Sequence, residues 1–177
     1  MKKFLLASLL ICFTTICMAQ EVRYGVRGAL NVSNLDFDPD ANFDNQHRNG
    51  FAFAGFVDYG FSEDLSLHTE LQWSAEGGKD EGLRADYIQM PILLKLSTSD
   101  RLSFMAGPQV ALKTWKNNDG FSTFAFSGVV GAEYMITDEL FVDARFSYGL
   151  TNILDEDDIP NLEAKNHVMQ FGFGIKI

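Results

Sequence analysis

The sequence predicts an all-β fold, an eight-stranded antiparallel up-and-down transmembrane β-barrel, and three observations predict it. Asp, Glu, Lys and Arg make up 21% of the chain, yet eight runs each carry one alternating face with no charge at all. The N-terminus reads as an export signal. The connections between the runs alternate between short and long.

The first run sets Val22, Tyr24, Val26, Gly28, Leu30 and Val32 on one face, and the second sets Phe51, Phe53, Gly55, Val57 and Tyr59 there. The third runs from Leu65 through Leu71 and Trp73 to Ala75, the fourth from Ile88 to Leu96, and the fifth from Leu102 to Leu112. The sixth extends from Phe124 to Ile136, the seventh from Leu140 to Leu150, and the eighth from Met169 to Ile177. The intervening positions hold Arg23, Arg27, Asp58, His68, Glu70, Lys95, Lys113, Glu133, Asp143, Arg145 and Lys176. A period of two is the mark of a strand with unlike faces. It does not say which face is outside, and a soluble lipid-binding barrel alternates too. Volume decides: eight strands enclose a lumen only just wide enough for side chains, and Phe, Trp, Tyr and Leu from every strand would overfill it. The bulky apolar face therefore belongs in lipid and the polar face inside.

Lys2 and Lys3 precede an apolar run from Phe4 that continues to Cys17, and Cys17-Met18-Ala19 offers small residues where a signal peptidase cuts. Cleavage is expected after Ala19, giving a signal peptide over 1–19 and one barrel domain over 20–177. The run is short for a membrane-spanning helix, which needs about 20 apolar residues, and Ile11 and Ile16 before Cys12 and Cys17 disfavour a lipoprotein signal. Both cysteines leave with the signal, so disulfides and thiolate metal sites are excluded. A net charge of −10 argues against nucleic-acid binding.

The short connections are 60–64, 97–101 and 137–139, and the long ones 33–49, 76–86, 114–123 and 151–166. Tight turns at the periplasmic end and longer loops outside are the pattern of an outer-membrane barrel, with both termini at the periplasmic end. Trp73 and Trp115 near the outer ends, with Tyr59, Phe61 and Tyr134 near the inner turns, suit two interfacial aromatic girdles.

Four stretches carry a family resemblance: Tyr24-Gly25-Val26-Arg27-Gly28, the run Asp86-Tyr87-Ile88-Gln89-Met90-Pro91-Ile92-Leu93-Leu94-Lys95, Ala106-Gly107-Pro108, and the run from Asp143 through Arg145-Phe146-Ser147-Tyr148-Gly149 to Ile153. They resemble the PorT-type outer-membrane β-barrel family of Bacteroidetes, small barrels similar to the OmpX and OmpA transmembrane folds. The resemblance implies location in the outer membrane, contact with its lipid and lipopolysaccharide, and recognition by the barrel-assembly machinery. That family usually has an acidic residue where Gln89 stands and an aromatic one where Ile177 ends the chain.

No catalytic, cofactor-binding or metal residue is expected. A hydrolase, such as a lipid-modifying outer-membrane enzyme, needs a histidine between a serine and a carboxylate. The local sequences His47-Arg48-Asn49, His68-Thr69-Glu70 and His167-Val168-Met169 do not offer it, and His68 reads as a satisfied interior histidine. Asp36, Asp38 and Asp40 begin like an EF-hand loop, but Ala41 stands at the glycine position and His47 at the glutamate position. Asp155, Glu156, Asp157 and Asp158 read as a solvated acidic loop. A small-solute channel or a transport or secretion accessory is the alternative function, but Phe56, Tyr87, Leu93, Met105 and Phe141 point into the lumen and fill it. Two expectations remain. Glu133 and Asp143 should oppose each other near the inner end and share a charge cluster with Arg145, Lys176 and Arg23. Any specific activity should reside in the long loops, where Phe37, Phe43, Trp115, Phe121 and Ile159 would be exposed contacts for an extracellular protein or glycan.

Overall fold

A computed structural model describes residues 21–39, 46–114, 120–154 and 162–177. Asp40, Phe43, Trp115, Asp155, Glu156, Asp157, Asp158, Ile159 and the cleavage position after Ala19 lie outside the described residues. Eight strands form a closed barrel in chain order: β1 (Val22–Asp38), β2 (Arg48–Gly60), β3 (Leu65–Gly77), β4 (Arg84–Ser97), β5 (Leu102–Thr114), β6 (Phe124–Met135), β7 (Leu140–Gly149) and β8 (Glu163–Lys176). Every neighbouring pair is antiparallel, and β1 pairs with β8 to close the sheet. Closure leaves no edge strand, so each strand finds hydrogen-bond partners on both sides. Among the described residues no helix is long and apolar enough to cross a membrane; the crossing is made by strands.

The three tight turns are built alike. Ser62-Glu63-Asp64-Leu65, Ser99-Asp100-Arg101-Leu102 and Thr137-Asp138-Glu139-Leu140 each begin with a hydroxyl and end with leucine. In each, the hydroxyl accepts from the leucine N–H, at 3.2 Å for Ser62, 3.1 Å for Ser99 and 3.0 Å for Thr137. The side chain thus supplies a local acceptor that favours a turn over a continued strand.

The outer face is the apolar one. Leu71 is 64% exposed, Val26 63% and Phe173 69%, whereas Arg27, Glu70, Arg145 and Glu133 are buried. A protein that turns its leucines out and its arginines in is made for a hydrocarbon surround.

Two strands run well past the predicted limits, and there the pattern inverts. In β1 the outward series Val26, Leu30, Val32 gives way to Asn34, Asp36 and Asp38, all exposed, while Leu35 and Phe37 turn inward and are buried. In β8 the outward positions are Glu163, Lys165 and His167 before Met169 begins the apolar series. Val32 pairs with Met169 and Asn34 with His167, so both strands invert at the same level of the ladder. In β4 the same change falls between Asp86 and Ile88. Above that level the surround is water, and an apolar face gains by turning inward. The inversion marks where the sheet leaves the lipid.

The segment 33–38 is therefore strand rather than loop, as are 84–86 and 163–166. Beyond the lipid boundary, Leu35, Phe37, Phe121, Ile153, Leu154 and Ala164 pack into a small apolar core. A β-bridge between Phe121 and Leu154 and the bond from Ile153 N–H to the Ala164 carbonyl, 2.9 Å, hold the segments across the mouth. The expectation that Phe37 and Phe121 are exposed contacts is thus corrected: both are 7% exposed and form the cap's interior. Their sequence positions suggest loops, but an apolar side chain above a barrel mouth buries more area by folding inward than by facing water.

Candidate functional site: the lumen and its outer mouth

The inner half of the lumen holds one continuous chain of charge. Arg27 (β1) grips Asp143 (β7) with two bonds, Nε to Oδ2 at 2.6 Å and Nη2 to Oδ1 at 2.5 Å. Asp143 also faces Arg145 Nε at 3.5 Å, and Arg145 Nη1 donates to Glu70 Oε1 at 2.6 Å. Glu70 meets His68 Nε2 at 2.8 Å, and the other ring nitrogen, Nδ1, meets Asp58 Oδ1. Asp58 Oδ2 lies 3.1 Å from Lys95 and 3.0 Å from Lys176, and both amines reach Glu133 Oε1, at 2.5 and 2.7 Å. Groups this deeply buried are tolerable only because each charge is paired and hydrogen-bonded.

Alternation brings them together: on a strand whose outer face is in lipid, every second side chain has nowhere else to go. Glu133 and Asp143 are directly paired across β6 and β7 as expected, and Lys176 and Arg145 join them. Arg23 does not. It lies at the inner end, half-exposed, and binds Glu21 at 2.8 Å. At the inner rim it reaches water more cheaply than it could enter a crowded lumen. Apolar side chains fill the rest. Phe56 and Phe141 meet edge to face at 5.6 Å, Phe56 lies 5.1 Å from His68, and Leu93, Met105 and Val129 cluster together. Gly172 is small for a reason: a Cβ there would come within 2.7 Å of Arg27 Nε and 2.8 Å of Asp143 Oδ1.

Above this lies a relay of amides. Arg27 Nη1 donates to Gln72 Oε1 at 3.1 Å, Gln72 Nε2 to Gln89 Oε1 at 2.7 Å, and Gln89 Nε2 to Glu76 Oε1 at 2.7 Å. Gln89 of β4 is thus joined through its side-chain amide to Gln72 and Glu76 of β3, and Lys95 contacts the carboxylates of Asp58 and Glu133. The sequence places Glu76 at the start of a long loop, yet it continues the inward series His68, Glu70, Gln72, Ser74 and is 2% exposed. That series was its signal. Near it is a small cavity lined by Glu76, Gln89, Gln109, Ser127 and Asn166 among others, with a volume of about 20 Å³, room for one or two waters.

The three histidines are placed separately. His68 has a carboxylate on each nitrogen, His47 forms a bridge with Gly78 at the outer end, and His167 stacks on Tyr148 at 4.4 Å on the outer face, with Asp36 at 3.5 Å. Asp36 and Asp38 lie on strand β1, facing outward, not in a looped cation cage.

A closed antiparallel barrel with an apolar exterior and a charged, filled interior defines an integral outer-membrane β-barrel protein. Residues 18–155 match the outer membrane protein beta-barrel domain family, and the chain belongs to that family. Its fold is similar to that of Ail, the attachment invasion locus protein of Yersinia pestis, at 13% identity and a TM-score of 0.55 over 89% of this chain and 99% of that one. It is also similar to Neisserial surface protein A, at 12% identity and a TM-score of 0.56 over 87% and 97% of the two chains. Ail in complex with the heparin analogue sucrose octasulfate aligns at 14% identity and a TM-score of 0.53, covering 89% and 99%. No curated protein matches the chain in sequence. The protein resides in the outer membrane.

Proposed function

We propose that this barrel is a mount for outer segments that bind a partner at the cell surface, and that it neither conducts solutes nor catalyses a reaction. The observation that carries the reading is the sheet's continuation past the lipid boundary, where Ser33 to Asp38 of β1 pair with Val168 to Glu163 of β8 over a capped mouth. A barrel needing only to span lipid would end at that boundary. Among the described residues the exposed outer surface carries more acidic than basic groups, Asp36, Asp38, Asp80, Glu81 and Glu163 against Lys79 and Arg84. Ail was solved with a sulfated glycan analogue, but here such a polyanion would meet like charge, so a neutral glycan or a basic protein face suits this chain better.

The finer family reading is PorT-type, supported by the strand motifs quoted above. We also read residues 1–19 as a removed signal and the exposed Phe171, Phe173, Ile175 and Ile177 as the signal for the barrel-assembly machinery. The test of function is recovery of partners from envelope extracts by the intact protein and by variants shortened within 40–45 and 155–161. The intact protein should retain a partner that the shortened, folded variants lose; equal recovery would overturn the reading.

A further inference from the structure

We propose that the outer lumen contains a binding site for one small monovalent metal cation, built on the Glu76 carboxylate. Glu76 differs from every other buried carboxylate among the described residues. Asp58, Glu70, Glu133 and Asp143 each contact a Lys or Arg side chain. Glu76 accepts only from neutral groups: Ser74 Oγ at 2.7 Å and Gln89 Nε2 at 2.7 Å on Oε1, and Asn166 Nδ2 at 2.6 Å on Oε2. Arg48, the basic group nearest in the bonding pattern, spends its Nη1 on the Glu76 main-chain carbonyl at 2.5 Å and on Asp86 Oδ1 at 3.1 Å.

None of the basic groups below reaches it. Arg27, Lys95, Arg145 and Lys176 are each engaged with Asp58, Glu70, Glu133 or Asp143, and His68 is held between Asp58 and Glu70. Burial pushes the Glu76 carboxyl above the usual carboxylate range, while three donors pull the other way without supplying a countercharge. Either a proton or a cation must therefore neutralise it, and the unpartnered oxygens beside it select the cation.

The surroundings can hold one. Asn166 is 7% exposed, lines the cavity beside Glu76, and has an Oδ1 buried without a hydrogen-bond partner. Asn31 Oδ1, beside Ser74, is likewise buried without a partner. Oxygen atoms lacking donors are what a hard cation requires. A single carboxylate with amide and hydroxyl oxygens suits one positive charge, and space for one or two waters suits an ion of sodium size. The Glu76 level pairs with Ala85, beyond Asp86 where the strand leaves the lipid, so the site lies on the outer side of the hydrocarbon layer.

The test is thermal unfolding of the full barrel folded in detergent, in sodium, potassium, calcium or tetramethylammonium chloride at one ionic strength. Sodium should raise Tm over tetramethylammonium by about 2–4 °C, saturably, and Glu76→Gln should abolish the difference. Should Glu76→Gln not fold, Asn166→Ala keeps the carboxylate, removes the unpartnered oxygen, and must weaken the sodium response. Equal Tm in all four salts, a sodium response that survives either substitution, or an infrared carboxylic-acid band in sodium buffer that Glu76→Gln removes would overturn the site.

Discussion

Arg27→Met is expected to destabilise the folded barrel by about 3–5 kcal/mol, the cost of leaving a buried charge without its partner. Arg27 is 3% exposed and supplies both bonds of the bidentate grip on Asp143, together with bonds of 3.1 Å to Gln72 and Gln170. Its removal leaves Asp143 facing only Arg145 Nε at 3.5 Å, a guanidinium already engaged with Glu70. Replacing both partners, Arg27→Met with Asp143→Leu, removes the orphaned carboxylate as well as its cation and should recover much of the loss. Urea midpoints of the barrel in lipid vesicles measure both. Additive losses in the double variant would show that the two residues act independently.

Leu71→Arg tests the outward face. Leu71 sits at the middle of β3 and is 64% exposed to the surround. If that surround is hydrocarbon, arginine there costs about 2–4 kcal/mol. Ser66→Arg, on the inward face near the inner end of the same strand, should cost clearly less, since its head can reach the periplasmic rim. Folded fraction in vesicles, read from heat-modified gel mobility, separates them. Equal losses would contradict the assignment of faces.

The barrel was legible because its faces keep a period of two through every crossing, and because a lumen of this size cannot hold the bulky face. The Glu133 and Asp143 juxtaposition followed from a turn of fixed length. What escaped reading was the outer end. Ser33 to Asp38 still alternates, but the rule that apolar means outward holds only in lipid, and Leu35 and Phe37 obey the opposite rule above it. Glu76 was lost for the same reason, since a strand judged to end at Ala75 has no inward position left for it. Arg23 was misplaced because proximity along the barrel was taken for inclusion in the cluster, although a residue at the inner rim has water within reach. The Gln72 and Gln89 relay had no signal at the level of single residues. Neutral amides acquire meaning only when register sets them side by side.

Single-channel recording of the purified full-length protein in planar bilayers tests most directly the claim that this is a sealed mount. A lumen occupied by the Arg27, Asp143, Arg145, Glu70 and His68 chain, packed with Phe56 and Phe141 and capped by Leu35, Phe37 and Phe121, should give no steady conductance above the bare bilayer. Reproducible open levels that depend on the protein would contradict it.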